Sequence, residues 1–112
     1  MEGTRLNKVQ RQIQKDLGEI FQRESVTTFR GKMISVTNVR VSPDLALAKV
    51  YISIFPAEKK EETLDLVKEH VRGLRHELAK RVRHQLRIVP ELTFFIDDSL
   101  DYIENIDKLL SK

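Results

Sequence analysis

The chain has 112 residues, 33% of them charged and 40% hydrophobic, and carries a formal net charge of +3. That length suits one domain spanning residues 1–112, because two cores would each be too small to bury enough apolar surface, and the balance excludes both a disordered chain and a membrane protein. Cysteine is absent, which removes disulfides, thiolate metal sites and cysteine nucleophiles. The start of the sequence lacks a signal-peptide core and no stretch approaches the roughly 20 apolar residues needed to cross a bilayer, so a cytoplasmic location with no membrane partner is expected.

From Thr4, a candidate N-cap, Leu6, Val9, Ile13, Leu17 and Ile20 recur at intervals of three and four. This is one stripe of an amphipathic helix, predicted from about residue 5 to about residue 23. Arg5, Lys8, Arg11 and Lys15 lie off the stripe, free to face solvent or a polyanion, and Arg30-Gly31 breaks the pattern.

Met33 to Val41 and Leu45 to Phe55 are rich in β-branched residues and flank Ser42-Pro43-Asp44, a turn signal that predicts a β-hairpin. In the second strand Ala46, Ala48, Val50, Ile52 and Ile54 point one way and Lys49, Tyr51 and Ser53 the other, so one face of the sheet is buried. In the first strand Ile34 and Val36 share one phase and Val39 and Val41 the other, which places a bulge or strong twist near Thr37 and Asn38.

After Pro56 a helical region is expected to about Gln85. Val71, Leu74, Leu78, Val82 and Leu86 form an apolar arc, opposed by Arg72, His76, Lys80, Arg83, His84 and Arg87. Arg75 falls inside the apolar arc and Gly73 is a poor helix-interior residue, so a kink near Gly73 is expected to divide the region into two helices. Val89-Pro90 ends it. A third strand follows from Glu91 to Asp97, with Leu92, Phe94 and Ile96 facing the core. Asp98-Ser99 then caps a short C-terminal helix anchored by Ile103, Ile106 and Leu110. The order is α-β-β-α-α-β plus that short helix, an α+β domain with helices on one face of a three-stranded sheet. It is the order of a type II KH-like domain.

Chemistry that would mark an enzyme is missing from the pattern. His70, His76 and His84 lack the spacing of a helical metal pair. The neighbours Asp97 and Asp98 point in different directions and suit capping better than acid–base work. The glycines at positions 3, 18, 31 and 73 build no phosphate loop. No cofactor and no metal are expected, and the chain is read as a non-enzyme.

The positive signal is charge placement. Residues 71–90 carry six Lys/Arg against one Asp/Glu, whereas residues 91–112 carry two against six. An ordinary exposed helix face would intersperse both signs. A row of cations on one rigid element is what phosphate binding requires, with counterion release driving association. The candidate RNA-binding residues are Arg72, Gly73, Arg75, His76, Lys80, Arg83, His84 and Arg87, joined by Lys8 and Arg11 of the first helix. Arg75 and Arg81 either join that surface or pack locally. Phe29, Tyr51 and Phe95 are candidates for base stacking or are sheet and core residues.

The segments VTNVRVSPDLALAKVYISIF at 36–55 and LRIVPELTFFIDDSLDYIENIDKLL at 86–110 resemble the two signature regions of the ribosome-binding factor A family, and TRLNKVQRQIQKDLGEIF resembles its first helix. The resemblance covers nearly the whole chain. It implies a KH-like fold, a monomer that binds free 30S small ribosomal subunits and their 16S rRNA, and a role in late 16S rRNA maturation, including 5′-end processing, and in cold adaptation. It also implies an Ala-x-Gly kink between the central helices, whose counterpart here is Val71-Arg72-Gly73, with valine in place of alanine. Two rival readings are a protein-interaction module with a basic docking face and no RNA contact, and a nuclease that trims precursor rRNA.

Overall fold

The computed structural model describes residues 2–97. The short helix expected after Asp98 lies outside them. The elements are α1 (Glu2–Glu24), β1 (Met33–Val41), β2 (Leu47–Phe55), α2 (Lys60–Glu69), α3 (Val71–Val82) and β3 (Glu91–Ile96). They make an α+β fold with a three-stranded mixed sheet in the order β1-β2-β3, with β1–β2 antiparallel and β2–β3 parallel.

The expected stripe of α1 supplies a large part of the core, with Ile13, Leu17, Ile20 and Phe21 fully buried. Thr4 is not the cap, because the helix opens at Glu2 and Thr4 falls within its first turn. The chain leaves α1 through Arg30 and Gly31, both in the left-handed region at φ 54° and 84°. Glycine fits that geometry without strain. Phe29, just before them, is buried against Phe21 at a centroid distance of 5.5 Å and anchors the turn.

The hairpin forms as its pattern requires. Ala48, Val50, Ile52 and Ile54 of β2 are buried, as are Ile34, Val39 and Val41 of β1. β2 starts at Leu47 rather than Leu45, because Leu45 takes a left-handed φ of 61° and the Asp44 carboxylate accepts the Ala46 N–H at 3.2 Å. The register slips between Val36 and Asn38, so Thr37 is the bulge and the two apolar phases of β1 both reach the core. The Thr37 hydroxyl donates to Asp97 Oδ2 at 2.6 Å, tying the bulge to the chain leaving β3. That contact is the described role of Asp97, while Asp98 lies outside the described residues.

The central helical region divides, but not at Gly73. The break falls at His70, whose φ and ψ of −100° and 12° separate α2 from α3. The exposed His70 ring lies edge-on to Phe29 at 6.1 Å, and its backbone N–H closes the last turn of α2 on the Leu66 and Val67 carbonyls. Gly73 sits in the first turn of α3 with no positive φ. The helix also ends earlier than expected, at Val82, with Gln85 and Leu86 N–H groups both folded back on the Val82 carbonyl. Leu86, Val89 and Pro90 are buried there and draw the chain off the helix axis toward β3. In β3, Leu92 and Phe94 are buried beside β2.

α1 packs on β1, α2 on β2 and β3, and α3 on α1 and β3, all on one face of the sheet. α3 is locked to α1 by Leu74 and Leu78 and by Arg81, whose Nη1 lies 2.6 Å from Glu19 Oε1 and 3.8 Å from the buried carboxylate of Asp16. Gln12 donates to the other Asp16 oxygen at 2.7 Å, so this charge is not left uncompensated.

Candidate nucleic-acid interface

α1 fixes the first part of the site. Burial of Ile13 and Leu17 turns Arg5, Lys8, Arg11 and Lys15 outward, three or four residues apart on one exposed side. Like charges at these spacings cost a helix a few tenths of a kcal/mol per pair. A sequence that accumulates them here has a surface suited to a polyanion rather than to helix stability alone.

The turn after α3 supplies the second part. Because α3 ends at Val82, Arg83, His84 and Arg87 do not continue a helical arc, and the expected single basic row on one helix is not what forms. They stand instead on an exposed loop clamped at Leu86 and Val89. This loop, the hairpin turn at Asp44–Ala46 and Arg5 of α1 enclose an open cleft of about 590 Å³. A neighbouring groove of about 520 Å³ runs along α1 past Lys8, Arg11 and Lys15, sharing Arg5 and Gln85 with the cleft. A third, of about 360 Å³, continues from Arg87 to Arg72 and His76 at the start of α3. The three adjoin as one basic band.

Within the band Arg72, Arg83 and Arg87 are exposed and form no ion pair among the described residues, so their charges are available to a ligand. Arg72 stands in the first turn of α3, where the leading backbone N–H groups add positive potential. One carboxylate, Asp44, lines the central cleft, and its pKa is held below the ordinary aspartate value by the Ser42 hydroxyl and the Ala46 N–H. It serves the hairpin turn, with Ser42 Oγ at 2.6 Å.

The ten residues expected at an RNA surface are therefore not all brought together. Lys8, Arg11, Arg72, His76, Arg83, His84 and Arg87 line the band. Arg75 borders it but is committed to packing, with Nη2 donating to the Val89 carbonyl at 2.6 Å and Nε to that of Pro90 at 3.2 Å. Lys80 faces Glu77 at 3.4 Å, and Gly73 borders a different hollow beside Phe29 and Glu24. Arg81 is tied to α1. Arg5, Lys15, Gln85 and Ile88 belong to the band and were not among the ten. The signal for Arg5 and Lys15 was present in their spacing with Lys8 and Arg11. Ile88, an apolar residue 75% exposed, carried none.

Of the three aromatic candidates, Phe29 is fully buried and can stack on no ligand. Tyr51 and Phe95 lie on the sheet face away from the helices. Among the described residues no group of three His, Asp or Glu side chains gathers to hold a metal ion, and no helix is long and apolar enough to cross a membrane.

Comparison with known proteins bears on the family and the fold. The model of the family described as ribosome-binding factor A matches residues 5–110. The chain is 51% identical to ribosome-binding factor A of Flavobacterium johnsoniae over 99% of this chain and 86% of that one. Against the Cytophaga hutchinsonii factor identity is 46% over 100% and 84%. Among solved structures, the crystal structure of the Thermus thermophilus factor superposes with a TM-score of 0.68 at 27% identity, covering 81% of this chain and 94% of that one. A homology model of the Thermus thermophilus factor, fitted into the cryo-EM map of a complex of 30S with the factor, gives a TM-score of 0.63 at 30% identity, covering 79% and 90%. The family model matched over residues 5–110 and relatives of 46–51% identity across this chain establish that it belongs to the ribosome-binding factor A family.

Proposed function

We propose that this protein is a non-catalytic assembly factor that binds the 30S ribosomal subunit by laying its basic band against 16S rRNA. It supports late maturation of that RNA, including 5′-end processing and growth in the cold, acting stoichiometrically in the cytoplasm as a monomer built from one domain over residues 1–112. The carrying observation is the continuity of the band from Lys15 through Arg5, Arg83 and Arg87 to Arg72. Family membership supports the ribosomal address, as does the related Thermus thermophilus factor placed in a 30S complex. Cations spread over a helix, a loop and a helix start follow a folded phosphate backbone better than they read base edges, so binding through RNA backbone and shape fits this surface.

Co-sedimentation with free small subunits tests the reading. The wild-type chain co-sediments and is released progressively by salt. The Arg72→Glu/Arg83→Glu/Arg87→Glu variant, folded as wild type by circular dichroism, loses most of that association. Undiminished binding by this variant would sink the assigned surface. Binding to a ribosomal protein but to no rRNA fragment would replace the reading with that of a protein-docking module.

A further inference from the structure

The sheet presents a second surface, on the side opposite the helices, whose outward residues are not among those lining the basic band. Its register aligns the outward side chains into rows. One row holds Asn38, Tyr51 and Phe95, and the next holds Arg40, Lys49 and Thr93. In the first row Tyr51 and Phe95 are stacked, with ring centroids 5.4 Å apart and planes inclined by 27°. Phe95 is 39% exposed and stands on the edge strand, so among the described residues its outer side meets no further strand. In the second row Arg40 and Lys49 are directly opposed across an antiparallel pair, both exposed, and neither has an ion-pair partner among the described residues. Like charges so placed destabilise a sheet. Among the described residues the face holds two carboxylates, of which Asp97 receives the Thr37 hydroxyl and Glu91 lies a row beyond, beside Leu47.

We propose that this face is a docking surface for unpaired RNA, with Tyr51 and Phe95 continuing the stack of a splayed base and Arg40 and Lys49 receiving the adjoining phosphate. The rows lie two residues apart along each strand, about 7 Å, close to the step between neighbouring nucleotides in an extended strand. An acidic peptide would satisfy the cations and leave the stacked rings without a partner. Alternation of a π surface with paired cations at that interval is the arrangement by which single-stranded nucleic acid is held. The proposal rests on the RNA-binding reading of the chain and gives the protein a second contact, so that one side grips structured RNA and the other an unpaired segment.

Fluorescence titration of the full chain with a short single-stranded oligoribonucleotide carrying 2-aminopurine, and in parallel with an RNA duplex, tests this. Tyr51→Leu/Phe95→Leu is expected to weaken single-strand binding roughly tenfold and to leave duplex binding unchanged. Arg40→Gln is expected to weaken single-strand binding while raising the melting temperature, because it removes the like-charge pair, and this opposite pair of effects separates a binding role from a structural one. Single-strand binding that survives both changes but falls with Arg83→Glu/Arg87→Glu overturns the proposal and leaves the basic band standing. A wild-type chain that binds neither RNA overturns both readings. Binding of polyglutamate that is lost in the sheet variants while RNA binding is kept assigns the face to an acidic protein and overturns it as well.

Discussion

The guanidinium of Arg75 donates from Nη2 to the carbonyl oxygen of Val89 at 2.6 Å, and from Nε to that of Pro90 at 3.2 Å. These bonds pin the loop that carries Arg83 and Arg87 at the point where it enters β3. Arg75→Ala is therefore expected to lower stability by about 1 kcal/mol, below the usual net value of charge-assisted bonds because Arg75 is exposed, as measured by urea denaturation. Arg75→Lys recovers only part of it, since an ammonium cannot span two carbonyls as the guanidinium fork does.

Gly73 lies in the first turn of α3 with no positive φ, and a Cβ added there meets nothing within 4 Å. Gly73→Ala is expected to raise stability by roughly 0.5–1 kcal/mol through lower unfolded-chain entropy and better helix propensity. Were Gly73 the hinge between the helices, the same change would destabilise. Thermal denaturation decides the sign.

Arg87 and Lys80 are both basic residues of the central region and differ in what they already hold. Lys80 lies 3.4 Å from Glu77, while Arg87 has no ion pair among the described residues and lines two grooves of the band. Arg87→Gln is expected to reduce the slope of log affinity against log salt by about one, and Lys80→Gln to leave it nearly unchanged. Equal slopes for the two variants would contradict the placement of the band.

Glu77 accepts from Arg23 at 3.3 Å and is also paired with Lys80, and the Arg23 hydrogen bond is the main cause that holds its pKa below the ordinary glutamate value. A carboxylate depressed in the folded state contributes stability that is complete above its unfolded pKa, about 4.3 for glutamate, and that is lost as pH falls through the folded value. Glu77→Gln is thus expected to lower the melting temperature at neutral pH and to converge with wild type in acid. A difference that stays constant down to acid pH would show that the ion pair contributes nothing.

Much of this was legible in the chain itself. The stripe of α1 and the alternation of β2 were dictated by burial, because each element has one face that must leave water. The bulge at Thr37 announced itself where the phase of β1 changed. Breaks in the helical region were harder. Gly73 has the poorest local propensity there, yet the chain breaks at His70, beside Phe29, so a local preference of about 1 kcal/mol does not by itself set where the helices divide.

The candidate site divides the same way. Sequence by itself determined the family, the order of elements and the excess of cations in residues 71–90, since these depend on residue identity and local period. Only the tertiary structure decided which cations lie together. Burial of Leu86, Val89 and Pro90 ends α3 early and swings Arg83 and Arg87 toward Arg5 of α1, whereas Glu19 holds Arg81, Glu77 holds Lys80 and the Val89 carbonyl holds Arg75. Glu77 and Lys80 pair three residues apart on one helix, but Glu19 and the Val89 carbonyl reach Arg81 and Arg75 from distant parts of the chain, and no local pattern encodes those two pairings.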